Sequence, residues 1–165
     1  MVTIVQRALL PAPVLTLRLA FLLAVILGLL TGCGSEATPS PELPSPPDPK
    51  AVAGGLDEAL IDTLDELTSK VQSDPSQHDA WEALGAAYEA SRVFAGAHVA
   101  FGAAASLRPD EPRLWYRAAI TAGRFGEVEL ALERLAKVLE LAPDYGPAWR
   151  RKGTWLLDLG RADEA

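Results

Sequence analysis

Few side chains in this sequence could perform catalysis or bind a metal ion. The 165 residues include one cysteine, Cys33, and two histidines, His78 and His98. A nucleophilic or metal site needs several such groups to converge, but His78 lies beside a predicted turn and His98 on a predicted helix. The carboxylates are spread over predicted helix surfaces, and the sequence has no glycine-rich phosphate loop. We therefore predict that the protein is not an enzyme and holds no cofactor and no metal ion.

The cysteine follows an apolar segment near the N-terminus. Leu19–Leu30 carries no charge and comes after Arg7 and Arg18, which is the pattern of a secretion signal. A helix over twelve residues is about 18 Å long, whereas the core of a bilayer is about 30 Å thick. An uncleaved membrane helix is the alternative, but extending the segment backwards brings in two prolines and Arg18.

The segment Leu30–Cys33, LTGC, resembles the bacterial lipobox, in which an aliphatic and two small residues precede a cysteine. The resemblance implies a signal peptide over residues 1–32, cleavage before Cys33 and lipid attachment to its thiol. Gly34 stands where an aspartate would indicate inner-membrane retention, which favours the outer membrane. We expect an exported protein, anchored by lipid on the periplasmic face of the cell envelope. A lone buried cysteine is the alternative.

A proline-rich segment comes next. Residues 33–55 offer little apolar surface, so we predict a disordered, extended linker that holds the rest of the protein away from the membrane. The whole chain has a net charge of −7 and no basic stripe. This charge argues against nucleic acid as a partner.

Tryptophan and proline recur with a period of 34 residues, at Trp81, Trp115 and Trp149 and at Pro75, Pro109 and Pro143. A fixed period of this length is typical of stacked helical units. The first unit also has Leu84, Gly85 and Tyr88 in the spacing W-x2-L-G-x2-Y, and it resembles the tetratricopeptide (TPR) repeat. The resemblance implies an all-α fold, a TPR α-solenoid of antiparallel helix pairs.

About two full repeats and part of a third are predicted after an N-terminal capping helix. The capping helix, residues 56–73, has leucines at helical spacing and is similar to the second helix of an incomplete repeat. Within the predicted TPR domain, 56–165, the repeats cover 78–111, 112–145 and 146–165. The side chains expected to pack the repeats are Trp81, Leu84, Gly85, Tyr88, Ala97, Phe101, Ala104, Trp115, Ala131, Leu135 and Trp149.

TPR arrays bind extended peptides or partner helices in a groove lined by the first helix of each repeat, and the resemblance implies such a groove here. The first repeat would contribute Asp79, Glu82, Ala86 and Glu89. The later repeats would contribute Arg113, Tyr116, Arg117, Ile120, Arg124, Arg150, Arg151 and Thr154. One end would be acidic and the other basic, and the basic end suits a carboxylate. The alternative is that these arginines are ordinary solvated surface.

The chain ends where the second helix of the third repeat would begin. Trp155, Leu156 and Leu159 of the unpaired first helix would then leave an apolar face open. A longer repeat array is one interpretation. Binding of a partner, or self-association with a second copy of the chain, is the other.

Two classes of function fit these features. The first is a protein-binding scaffold or chaperone of the cell envelope that binds segments of exported proteins. Its helix and repeats resemble the repeat domain of c-type cytochrome maturation factors, whereas a lipid anchor at Cys33 resembles TPR lipoproteins of pilus or outer-membrane assembly. The second class is a docking module in a longer chain with a catalytic domain beyond Ala165.

Overall fold

A computed structural model describes residues 42–52, 55 and 57–165. The predicted signal peptide, the predicted lipid attachment at Cys33 and the first part of the predicted linker lie outside these residues. All regular elements of the described part are helical. They are α1 (Pro49–Val52), α2 (Glu58–Ser73), α3 (His78–Ala90), α4 (Phe94–Leu107), α5 (Pro112–Phe125), α6 (Val128–Leu141), α7 (Gly146–Asp158) and a 3₁₀ turn, Ala162–Glu164.

The helices from α2 to α7 pack mainly on their neighbours in sequence. The most extensive contacts join α3 to α4, α4 to α5 and α5 to α6, and smaller ones join α2 to α3 and α6 to α7. A chain whose elements contact mainly their sequence neighbours is a solenoid. The predicted all-α solenoid of helix pairs is confirmed, with α3–α4 and α5–α6 as full pairs and α7 as the first helix of a third.

A repeated hydrogen bond gives the 34-residue period a physical basis. The indole N–H of Trp81 donates to the carbonyl of Pro75 at 2.9 Å. The same bond recurs from Trp115 to Pro109 at 3.1 Å and from Trp149 to Pro143 at 2.7 Å. Each tryptophan therefore ties the start of a first helix to the turn that precedes it.

Close contacts between glycines and aromatic rings hold the first pair together. A Cβ atom added at Gly85 would lie 2.9 Å from the Phe101 ring, and one added at Gly96 would lie 2.7 Å from the Tyr88 ring. Phe101 and Tyr88 are fully buried. The absence of a side chain at the two glycines lets α3 and α4 approach until the rings fill the space between them.

The second pair uses smaller groups at its centre. Ala118, Ala119 and Ala122, which replace the usual leucine, glycine and tyrosine, are all fully buried. On the next turn of α5, Gly123 lies against the ring of Trp155. Side chains of α7 thus complete the packing of α5.

Two expectations about α7 are corrected. Trp149, expected to pack between repeats, is 53% exposed, because no helix of the described part packs over that side of α7. Leu156, expected on an open apolar face, is instead buried, and Trp155 packs against the core beside α5 and α6. The exposed large apolar side chains here are Trp149 and Leu157 of α7 and Leu159 just after it.

The expectation of a linker that stands away from the domain is corrected for residues 42–52. Leu43 packs against the core of the first pair, and Pro49 is buried. The hydroxyl of the buried Tyr88 donates to the carbonyl of Pro47 at 3.0 Å. A buried hydroxyl needs a hydrogen-bond partner, and this segment supplies it on the side where the capping helix α2 lacks a first helix.

Replacing Tyr88 by phenylalanine is expected to loosen residues 42–52 while leaving the helix pair folded. The ring contact with Gly96 stays, but the bond to Pro47, worth about 1 kcal/mol, is lost. Hydrogen exchange at residues 50–52 should become several-fold faster. Tyr116→Phe, a change on α5, is the matched control. Equal exchange in both variants would mean that the hydroxyl does not hold the segment.

Candidate functional site: the surface of the first helices

The predicted groove residues lie on α3, α5 and α7, the first helices of their pairs. We call the solvent-accessible side chains of these three helices the first-helix surface. Its central helix has defined ends, since Pro112 occupies the first turn of α5 and Gly126 ends it in the left-handed conformation, with φ of 107°. Side chains of α3 and α5 meet directly on this surface.

Arg113 is the centre of an ion-pair cluster. Its guanidinium donates to both carboxylate oxygens of Glu82 on α3, at 2.5 and 3.2 Å, and to Glu111 at 2.9 and 3.1 Å. Hydrogen bonds from Arg113 hold the pKa of the Glu82 carboxyl below its usual range, and the two carboxylates raise the pKa of Arg113. The guanidinium of Arg113 is therefore occupied by ion pairs within the protein.

The Glu82–Arg113 pair makes part of the stability depend on pH. The folded-state pKa of Glu82 lies below its ordinary value of 4.5, so its contribution is complete above that value and disappears as the pH falls through the lower, folded pKa. We expect Glu82→Gln to reduce the urea midpoint more at pH 7 than at pH 3, while Asp62→Asn, on an exposed position of α2, changes it little at either pH. A constant difference at both pH values would contradict this.

Arg117 is engaged in the same way, one turn further along α5. It donates to Glu89 at 2.8 Å and lies 3.6 Å from Glu82. Its guanidinium also stacks 4.1 Å from the centre of the Phe101 ring. A cation held over a buried ring by a carboxylate is a structural tie between α3, α4 and α5.

Ion pairs offset part of the charge at the expected acidic end of the groove. Glu82 and Glu89, which were to form the acidic end, pair with the first two arginines of α5. Ion pairing across adjacent first helices offsets only part of the negative charge here, since Arg113 and Arg117 face the three carboxylates of Glu82, Glu89 and Glu111. The excess positive charge lies further along the solenoid.

Arg124, Arg150 and Arg151 carry that excess charge. All three are exposed, and among the described residues none of them forms an ion pair. Arg124 lies 5.3 Å from the ring of Phe94, and Arg151 lies 5.5 Å from the ring of Trp155. These three guanidinium groups are free to bind an anionic group.

The first-helix surface also carries aromatic and small polar groups. Tyr116 packs edge-on against Tyr145, with ring centres 5.2 Å apart, and Ile120 is half-buried beside them on α5. Thr154 donates its hydroxyl to the carbonyl of Arg150 at 2.9 Å, which leaves its oxygen as an acceptor. The sequence reasoning missed Tyr145, although an aromatic residue just before a first helix is a signal that could have identified it.

The described residues lack two kinds of feature. In residues 42–52, 55 and 57–165, no helix is both long and apolar enough to cross a bilayer. The same residues contain no cluster of three or more His, Cys, Asp or Glu side chains arranged to bind a metal ion.

Comparison with known proteins gives a partial sequence match. No protein-family profile matches the chain. An uncharacterized protein of Methanocaldococcus jannaschii is 43% identical over 51 residues, which are 31% of this chain and 59% of that protein. The chain thus spans less than two thirds of this relative.

Two solved structures of the protein MamA have a similar fold. One, of MamA MSR-1 C2, is 18% identical with a TM-score of 0.57, over 66% of this chain and 62% of that structure. The other is 22% identical with a TM-score of 0.57, over 65% of this chain and 63% of that structure. MamA is a TPR-like helical repeat protein. The chain has a TPR-type α-solenoid fold.

Proposed function

We propose that this protein is a non-enzymatic scaffold or chaperone that binds acidic segments of partner proteins on the first-helix surface. The observation that carries the proposal is the exposed set Arg124, Arg150 and Arg151, which lack the carboxylates that neutralise Arg113 and Arg117. Guanidinium groups bind carboxylates bidentately. The exposed Trp149 and Leu157 of α7 offer apolar contact area on the same helix as Arg150 and Arg151.

The proposed partners are exported proteins of a bacterial cell envelope. The support is the sequence LTGC at Leu30–Cys33, after an apolar segment. Lipid on Cys33 would hold the repeats at the periplasmic face of a membrane, with the outer membrane favoured by Gly34. Two acyl chains or more anchor a protein stably, whereas one is marginal.

Replacing Cys33 by alanine is expected to abolish lipid attachment completely, because the thiol is the proposed attachment atom. Cells grown with radioactive palmitate should label the wild type but not the variant, and the variant should accumulate with residues 1–32 still attached. Ser35→Ala is the control and should label normally. Labelling of the Cys33→Ala protein would refute the anchor.

The partner is to be identified by photo-crosslinking in living cells. A photoreactive residue at position 116 lies beside Ile120 and Tyr145 on the first-helix surface. Trapped haem-binding polypeptides would support a role in cytochrome c maturation, and trapped pilus or outer-membrane components would support envelope assembly. Crosslinks to a second copy would support self-association. If no adduct forms at 116 while a probe at exposed position 133 on α6 gives adducts, the proposed surface is wrong.

A docking role within a longer enzyme is the second candidate. The chain spans 62% and 63% of the two MamA structures and 59% of the archaeal relative. A catalytic motif encoded beyond Ala165 would favour this candidate, whereas further 34-residue units would favour the scaffold.

A further inference from the structure

The second helices of the two full pairs form a pocket. It has a volume of about 480 Å³ and is formed mainly by the second helices α4 and α6. Its apolar walls include Val99, Ala103, Leu130 and the ring of Trp115. Pockets of this size and character bind small molecules or single side chains.

A half-buried arginine lines this pocket. Arg134, on α6, donates through Nη1 to the carbonyl of His98 on α4 at 3.2 Å and to that of Ala118 on α5 at 2.8 Å. It makes no ion pair within the described residues, unlike Arg113 and Arg117. Glu133 and Lys137 also line the pocket, and Glu133 offsets part of the charge of Arg134 without forming an ion pair with it. A desolvated cation that lacks a paired counter-ion is costly, and an anion bound to it would relieve that cost.

The remaining donors of Arg134 are available to a ligand. Nε and Nη2 have no hydrogen-bond partner in the part of the chain that the structure describes, yet neither is sealed from solvent. Burial lowers the pKa of Arg134 to about 10, so the group stays charged at neutral pH. The Nε–Nη2 edge of a guanidinium matches the two oxygens of a carboxylate.

Gly102 creates the space that the guanidinium occupies. A Cβ atom at this position of α4 would lie 2.6 Å from Nη2 of Arg134. The far end of a flexible side chain can move, so an alanine at 102 would push the guanidinium aside without breaking the helix. This gives a way to disturb the pocket while keeping its charge.

We propose that the pocket between α4 and α6 binds a carboxylate attached to an apolar group, with Arg134 as the ligand for the anion. The carboxylate would pair with Nε and Nη2, and the apolar group would lie against Val99, Leu130 and Trp115. The shared chemistry fits both a free organic acid and the C-terminal residue of a protein. The site is separate from the first-helix surface.

His98 provides a local reporter of binding. It lines the pocket, and its Nδ1 is buried without a partner among the described residues. Burial and the charge of Arg134 lower the pKa of His98, Glu127 opposes this, and the ring stacks on Phe125 with centres 5.1 Å apart. An anion on Arg134 would offset that positive charge and raise the His98 pKa.

The test is an NMR titration of the full chain with sodium benzoate, following the Arg134 Nε–H and His98 ring signals. We expect saturable shifts in the millimolar range and a rise in the His98 pKa. Benzamide, which has the same ring without the charge, should bind at least about tenfold more weakly. Acetylated Ala-Leu with a free C-terminus is compared with benzoate, and its amidated form is the uncharged control. Tighter binding of the free peptide than of benzoate would indicate a protein C-terminus as the ligand, and tighter binding of benzoate would indicate a free organic acid.

Two variants test the role of Arg134. Arg134→Met removes the charge but also the hydrogen bonds that join α6 to α4 and to α5, so its folding is checked by circular dichroism. Gly102→Ala displaces the guanidinium and should weaken benzoate at least about tenfold. Gly153→Ala, whose added Cβ meets open space on α7, should bind like the wild type. Equal binding of benzoate and benzamide, unchanged binding in Gly102→Ala, or no saturable shift would overturn the proposal.

Discussion

Replacing Phe101 by alanine is expected to lower the free energy of unfolding by about 3 to 5 kcal/mol. The ring is fully buried, fills the space left by Gly85 and supports the guanidinium of Arg117 at 4.1 Å. Its removal leaves a cavity at the centre of the first pair and takes away the surface on which Arg117 lies. Since the total stability of a domain is about 5 to 15 kcal/mol, urea denaturation should show a large loss.

Phe125 offers a matched control for this measurement. It is the same residue type, but it is 49% exposed at the end of α5 and stacks only on His98. Phe125→Ala should cost about 1 kcal/mol or less, since about half of its surface already contacts water. Similar losses in the two variants would contradict the assignment of Phe101 to the core.

Replacing Arg150 and Arg151 together by glutamate is expected to weaken binding of an acidic peptide by about 10- to 100-fold. Two favourable charges on α7 become two repulsive ones, while the helix has no ion pair to lose there within the described residues. Fluorescence anisotropy with a labelled peptide of alternating glutamate and leucine measures the effect. Added salt should reduce the difference, because the charges are exposed.

A second double variant controls for the change in net charge. Lys50→Glu with Lys70→Glu alters the total charge equally, but these exposed residues lie on α1 and α2, away from the first-helix surface. This control should bind nearly as well as the wild type. An equal loss in both double variants would mean that only overall charge matters, and Arg150 and Arg151 would then be ordinary solvated surface.

Much of the fold follows from local sequence patterns. The 34-residue recurrence of tryptophan and proline identified the repeat unit, because each unit repeats the same turn and the same indole-to-carbonyl bond. Gly85 and Ala97 marked places of close helix approach, and both are buried. Such features depend on residues within one unit or two adjacent units.

The candidate site was less accessible to sequence reasoning. The sequence shows which charged residues lie on the first helices. Their pairing depends on which side chains of α3 and α5 face each other in space. Arg113 and Arg117 reach back 31 and 28 residues to Glu82 and Glu89. The sequence alone does not distinguish an arginine in an ion pair from an arginine that is free to bind a ligand.

The sequence alone determined the repeat type, the helix order and the LTGC motif, because each depends on residue identity at short spacing. Only the tertiary structure decided which charges remain free, that residues 42–52 lie on the domain, and that Arg134 reaches a pocket beside Gly102. These features depend on the rotation of one helix against another, and packing over the whole solenoid sets that rotation. Ala100 and Arg134 therefore occupy the same position in successive repeats, but Ala100 lies in the core of the first pair and Arg134 lines a pocket.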